Sequence, residues 1–341
     1  MKNHMFRGRR AALVAGAAIS ALALLSACSS GGGNVTPTDG GSTDGGGGLQ
    51  PVAICTGPQP DYAPFYVAKE MGMWEKYGMD LTISICPTSP IAIAAILNNE
   101  VAMSNNSVTG VSTAIGQGIP AKVVLPITLQ PQEGNTYVFV PVDSDIQTFA
   151  DLAGKTLGTI TVQGLFHLGL ADAMTIQGAD PTTMKVVGSA PTDLGALLDS
   201  GKVDAIMIQD ATATQIKQQL GDKIRDIGNP FAIVPWGKKL VIGAMTASDR
   251  QLNDNPELYR KFREGWAEAI QLTEDNPDIM YKVIAEYSGL DPALLKAITW
   301  GKWTTELDEA NTMEMLNTML KYGFVKAIPE FSQIYWEDNG S

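Results

Sequence analysis

Residues 61–81 constrain the fold more than any other stretch, because they join two β-rich runs through a helix with both ends marked. The runs are 52–56 before it and 79–86 after it. Pro64 suits a first helical turn, where its missing N–H costs nothing. Phe65, Ala68 and Met71 recur at helical spacing and predict a buried stripe. It ends at Gly72, which can take the left-handed conformation just past a helix. Trp74 and Tyr77 predict a second short turn, closed in the same way by Gly78. The unit reads strand, loop, helix, turn, parallel strand. Its first loop lies at the carboxyl end of a strand, the edge where open α/β sheets bind ligands.

The same alternation continues beyond residue 49 and predicts an α/β fold with mostly parallel sheets. Strands are expected at 101–104, 121–128 and 135–142, with helices at 91–97 and 108–116. A second set follows, with strands at 156–162, 184–187 and 203–208 and helices at 165–177 and 194–200. Residues 96–102 and 198–204 share one helix-ending turn, a weak internal echo of two lobes. Asn99 stands where the second copy has Gly201, and Asn tolerates the left-handed conformation next best. A strand at 240–246 returns the chain to the first lobe, so crossings near 137–141 and 240–245 form a two-stranded hinge. Residues 256–287 and 292–320 are helical by period and are expected to pack on the first lobe.

The amino-terminal residues read as targeting rather than fold. Lys2, Arg7, Arg9 and Arg10 precede an apolar run of about 15 residues, the length of a secretory signal and too short for a comfortable membrane span. Leu25-Ser26-Ala27-Cys28 has the small residues before cysteine that a bacterial lipoprotein signal peptidase reads, which would leave Cys28 as a lipidated amino terminus. The alternative is an ordinary signal cut after Ala27. Residues 28–49 are mostly Gly, Ser, Thr and Asp and cannot offset their ordering entropy, so they read as a tether reaching about 25 Å. The expected division is therefore 1–27 signal, 28–49 tether, 50–138 with 245–341 first lobe, and 139–244 second lobe. Loss of the leader leaves 20 basic against 36 acidic residues, a net charge of −16. That acidity argues against a nucleic-acid partner and for a solvated monomer. Cys55 and Cys86 end the first two expected strands. In an oxidising compartment they are either a disulfide or two buried thiols too poorly aligned to bond.

The wording Ala63-Pro64-Phe65-Tyr66-Val67-Ala68-Lys69-Glu70, followed by Gly72, Trp74-Glu75-Lys76, Gly78 and Asp80-Leu81, resembles the solute-binding proteins of ABC importers for nitrate, sulfonates, taurine and thiamine-pyrimidine precursors. Residues 146–159 resemble that family's entrance to its second lobe, and Leu198 to Asp204 its Leu-x-x-Gly-x-Val-Asp turn. The resemblance implies a two-lobed periplasmic-binding-protein fold of type II, with a cleft between lobes, a two-stranded hinge and a helical tail. It covers 50 to about 250 well and the tail loosely.

Cleft residues follow from loop positions. The first lobe offers Asp61, Tyr62, Phe65, Ser89, Asn105, Asn106 and Gln130; the second offers Gln163, Phe166, His167, Asp210 and Trp236. Tyr62, Phe65, Phe166 and Trp236 are either core aromatics or a stack for a planar or apolar ligand. Asn105, Asn106 and Asp210 are either helix caps or ligand contacts. The family places an acidic residue near Asp210, but its Glu-Pro is Asp210-Ala211 here. His167 is the only histidine beyond the leader, and one histidine makes no metal site. No metal or other cofactor is expected. Arginine recurs only at Arg225, Arg250, Arg260 and Arg263, away from the cleft loops, whereas a phosphate dianion normally recruits bidentate arginine.

The resemblance implies binding without chemistry. The solute would be a small nitrogen- or sulfur-containing compound, heteroaromatic or a sulfonate, and the partners a membrane permease and its ATPase. The protein would sit outside the cytoplasm on a lipid anchor. The alternatives are a lipid-anchored sensor using the same cleft and a pyrimidine-synthesising enzyme of the same fold. That enzyme class needs a reactive histidine and a cysteine-rich iron motif, for which the sequence has no cluster.

Overall fold

The computed structural model describes residues 48–57, 59–131, 133–297 and 299–338. The leader, Cys28 and the tether up to residue 47 lie outside them. The described residues form one compact unit built on two sheets.

The chain opens with β1 (Gln50–Thr56), α1 (Ala63–Glu70), α2 (Met73–Lys76) and β2 (Met79–Ile85). Strands β1 and β2 pair in parallel from Gln50↔Met79 to Thr56↔Ile85. Gly72 and Gly78 have φ of 68° and 76°, the left-handed values that the two helix ends require. One detail of the expected stripe differs. Met71 is 40% exposed, while Val67 is fully buried with Phe65 and Ala68. Two faces of α1 are covered. Phe65 stacks on Trp266 at 4.7 Å, and Ala63 and Val67 pack with Met280 and Ile284.

The first lobe continues through α3 (Ser89–Leu97), β3 (Met103–Ser107), α4 (Val108–Gly116) and β4 (Ala121–Leu129). The chain then crosses into the second sheet with β5 (Thr136–Pro141), β6 (Thr156–Thr159), α5 (Leu165–Ile176), β7 (Lys185–Gly188), α6 (Pro191–Asp199), β8 (Ala205–Gln209), α7 (Asp210–Leu220) and β9 (Ile224–Asp226). It returns through β10 (Val241–Ser248) and ends with α8 (Asp249–Asp254), α9 (Pro256–Asp275), α10 (Pro277–Ser288), α11 (Pro292–Ala297), β11 (Lys302–Trp303), α12 (Glu309–Lys321) and α13 (Phe331–Ile334).

Strand order is β11-β4-β10-β3-β1-β2 in one sheet and β7-β6-β8-β5-β9 in the other. Strands β1, β2 and β3 run parallel, as do β6, β7 and β8, while β10 and β5 run against their neighbours. The two crossings lie at residues 130–135 and 227–240, and the Gln130 N–H donates to the Leu240 carbonyl at 2.7 Å where they meet. The first crossing therefore precedes the expected 137–141, which is a strand inside the second sheet.

The tail also departs from one long helix after residue 292. It breaks into α11, the short β11 on the edge of β4, and α12. Helices α9 and α10 pack on α1, whereas α12 packs on α5 and the 235–237 turn. Trp236 donates its indole N–H to the buried Asp172 at 3.0 Å, and Tyr322 at the end of α12 donates to the same carboxylate at 2.9 Å.

Candidate functional site

Parallel strands place the carboxyl ends of β1, β2 and β3 along one edge of the first sheet, and those of β6 and β8 along an edge of the second. The loops beyond them enclose a cavity of about 540 Å³, within the range of small-molecule sites. Four helices begin at this cavity. Thr88 and Ser89 open α3, Ser107 and Thr109 open α4, Gly164 and Leu165 open α5, and Gln209 precedes α7. Each such end carries unsatisfied N–H groups and about half a positive elementary charge, which suits acceptor oxygens of a ligand. Ser107 caps α4 itself, its hydroxyl accepting from the Gly110 N–H at 3.0 Å.

Seven expected residues line the cavity: Asp61, Tyr62, Ser89, Asn105, Asn106, Gln163 and Phe166. Among the described side chains around it, none is Lys, Arg or His. Tyr62 is 5% exposed. Burial, and secondarily the Asp61 charge, push its phenol far above the usual tyrosine range, while the Asn105 side chain pulls the other way. Its hydroxyl stays neutral at physiological pH.

The orientation of Asn106 follows from its neighbours. The Thr246 hydroxyl spends its proton on the Ser104 carbonyl at 3.1 Å, so it can only accept from Asn106, and Nδ2 faces it at 2.7 Å. Asn106 Oδ1 is thereby turned away and has no hydrogen-bond partner, although the residue is only 2% exposed.

Other expected residues serve the fold. Phe65 is fully buried between Trp74 and Trp266, with centroids 5.9 and 4.7 Å away. Trp236 is fully buried on Asp172. Phe65 in α1 and Trp236 in the 235–237 turn each direct their ring inward because the core beneath needs large apolar volume. Gln130 sits in the first crossing, its Nε2 donating to Thr136 Oγ1 at 2.7 Å. It ends a strand whose chain leaves for the other lobe instead of looping over the cleft. His167 lies behind the cavity wall, accepting the Gln163 N–H on Nδ1 at 3.1 Å. Asp210 opens α7 directly after Gln209. Cys55 and Cys86 are joined as a disulfide with Cα atoms 5.6 Å apart.

Several contributors were not among the expected residues. Ile242 and Gly243 reach the cavity from β10 and Met319 from α12. Of these, only Gly243 had a readable cue, since glycine inside a strand marks close approach. Tail residues also hold the 59–62 loop from outside. The Tyr287 hydroxyl donates to the Gln59 carbonyl at 3.0 Å and the Trp303 indole to the Asp61 carbonyl at 2.7 Å. Tyr287 stacks on Tyr66 at 3.9 Å, and burial pushes its phenol well up.

The architecture is that of known binding proteins. The periplasmic aliphatic sulphonate binding protein SsuA of Escherichia coli aligns with a TM-score of 0.69 at 17% identity, covering 84% of this chain and 92% of that one. The alkanesulfonate-binding protein SsuA of Xanthomonas axonopodis pv. citri, bound to MOPS, gives 0.62 at 19% over 84% and 96%. The periplasmic nitrate-binding protein NrtA of Synechocystis PCC 6803 gives 0.61 at 12% over 82% and 83%. At such identities the likeness establishes the fold, a two-lobed periplasmic-binding-protein fold of type II. No curated protein matches the sequence significantly. The family model described as NMT1/THI5 like matches residues 59–280, most of the described body, with the cavity loops of both lobes inside the match. The chain belongs to the NMT1/THI5-like family.

Proposed function

We propose that the protein is the solute-binding lipoprotein of an ABC importer, anchored through Cys28 to the outer face of the cytoplasmic membrane. It captures a small nitrogen- or sulfur-containing organic solute, a sulfonate or a heteroaromatic compound, and hands it to a permease and its ATPase. The observation that carries this reading is the convergence of four helix amino ends from two lobes on one cavity with no cationic side chain in its described lining. Backbone N–H groups on rigid helices hold acceptor oxygens of a sulfonate or a ring carbonyl without side-chain reorganisation. Tyr62 and Phe166 add aromatic surface for the carbon portion. Neither lobe alone surrounds the solute, so binding favours the closed arrangement by its differential affinity for it. The described lining residues offer binding groups and no nucleophile–base pair, and the solute is expected to leave unchanged. The sulfonate- and nitrate-binding neighbours support the same reading.

The test has two arms. Isothermal calorimetry with an alkanesulfonate, taurine, nitrate and an aminopyrimidine should find one saturable binder, and X-ray scattering should show the radius of gyration falling with that compound alone. Conversion of the bound compound to a product would sink the binding reading. For the anchor, Cys28→Ala should move the protein from the membrane pellet to the soluble fraction. Continued sedimentation with membranes would refute lipid attachment.

A further inference from the structure

The turn that carries Gln163 into the cavity is held in an unusual way. Its Gly164 N–H donates to the Thr161 carbonyl at 3.2 Å, and Gln163 has a φ of 59°. That left-handed conformation is uncommon for a residue with a long side chain, and the surrounding structure must hold it. The Gln163 N–H points at His167 Nδ1, 3.1 Å away on the first turn of α5. A donor N–H requires a lone pair there, so the ring is neutral with its proton on Nε2. Phe324, beyond α12, packs against the imidazole at 4.7 Å and limits its rotation. His167 itself is not among the cavity-lining residues, whereas Gln163, Gly164, Leu165 and Phe166 are.

We infer that His167 is a positioning residue of the cleft: its unprotonated Nδ1 pins the turn that presents Gln163 to the cavity, and protonation of the ring releases that turn. A charged imidazole would set a second N–H against the Gln163 N–H, so the contact turns from attraction to repulsion. Burial lowers the pKa of His167 below the ordinary histidine value, which keeps the ring neutral at pH 7. Around it, α12 carries Glu309 and Glu314, the 149–152 and 181–183 turns packed on α5 bring Asp151 and Asp180, and where α5 meets the end of α12 stand Asp172, Lys321 and Tyr322. The last three are bonded to one another. None of these charges is among the causes of the shift at His167, which is burial alone. The consequence for solute binding rests on the function proposed above, but the contact is tested without any solute, so the two can fail separately.

The experiment is a pH titration of the ¹⁵N-labelled full chain by NMR. The sequence has two histidines, His4 and His167, and the His167 signal is the one missing from His167→Asn. The Gln163 amide shift should follow the His167 midpoint, below about 6.5. Its hydrogen exchange, corrected for pH, should become roughly tenfold faster once the ring is charged, as expected for loss of one net hydrogen bond. His167→Asn offers an amide oxygen near the place of Nδ1, so protection of Gln163 should persist at every pH. His167→Leu should lose it at every pH while amides of α6 and α9 stay protected, which separates a local effect from unfolding. A Gln163 amide that ignores the His167 titration, or stays protected in a folded His167→Leu, overturns the proposal. If His167→Leu does not fold, the wild-type titration decides.

Discussion

At the scale of single residues, two phenylalanines of similar sequence context part company. Phe65 lies on the buried face of α1 in a stack of aromatic rings, whereas Phe166 lines the cavity from the first turn of α5. Phe65→Ala should cost roughly 3–5 kcal/mol of stability in urea unfolding, the usual range for deleting a fully buried aromatic side chain. Phe166→Ala and Asp61→Ala should instead weaken solute binding by roughly 1–3 kcal/mol each in calorimetry, through a lost stack or an unpaired polar partner. Unchanged affinity in both would place the solute elsewhere. His167 also makes a sign-definite prediction about stability. Its folded pKa is lowered, so its contribution is full above the unfolded value of about 6.5 and is lost as pH falls through the folded one. Urea midpoints should drop across that interval in the wild type, with a shallower drop in His167→Asn.

At the scale of elements, the disulfide joins the ends of two adjacent parallel strands directly before cavity loops. Cys86 leads into Pro87, Thr88 and Ser89, and the Cys86 N–H donates to the Thr56 carbonyl at 2.8 Å. The strand β2 is an edge strand, so β1 and this bond are what hold its cavity end. The closed loop spans 31 residues. Chain entropy then predicts that Cys55→Ser with Cys86→Ser costs about 3.7 kcal/mol, less any native strain. Two titratable thiols in the denatured, unreduced protein would reject the bond. Helix α5 has a different constraint. A Cβ on Gly169 would lie 2.5 Å from the Phe231 ring, so the helix can approach that ring only with glycine here. Gly169→Ala should destabilise by roughly 1–3 kcal/mol through overpacking, read as a lower denaturation midpoint.

For the whole molecule, the two crossings are joined where the Gln130 N–H donates to the Leu240 carbonyl at 2.7 Å. The true solute should raise the melting temperature in proportion to the logarithm of its concentration. The stabilisation is about 2.7 kcal/mol when the free solute stands at 100 times its dissociation constant. The tail adds a structural link between the lobes. Helix α12 packs on α5 while α13 packs on α4 and β4, so closure must carry or bend the segment between them. Met319 of α12 reaches the cavity itself.

Local chemistry was enough to determine the strand–helix alternation, because helix spacing, Pro64 and the glycines after α1 and α2 act within a few residues of themselves. The helix α4 appears at the expected 108–116, and the mostly parallel α/β class follows from that order of elements, whereas the two-lobed class came with the family resemblance. Loop positions after parallel strands pointed to seven of the cavity-lining residues, since the direction of a strand decides which of its ends faces the ligand edge. The sequence left open whether Cys55 and Cys86 bond, because adjacency of strands does not set the relation between side-chain vectors. It also left Phe65 and Trp236 open between core and cleft, and offered Gln130 as a cleft residue. A loop residue turns toward a cavity or a core according to which neighbour fills the other side, and Trp266, Asp172 and Leu240 stand 201, 64 and 110 positions away in the chain. Contacts of that separation, including the hold of Tyr287 and Trp303 on the 59–62 loop, exist only once the tail has packed, and the tertiary structure alone decides them.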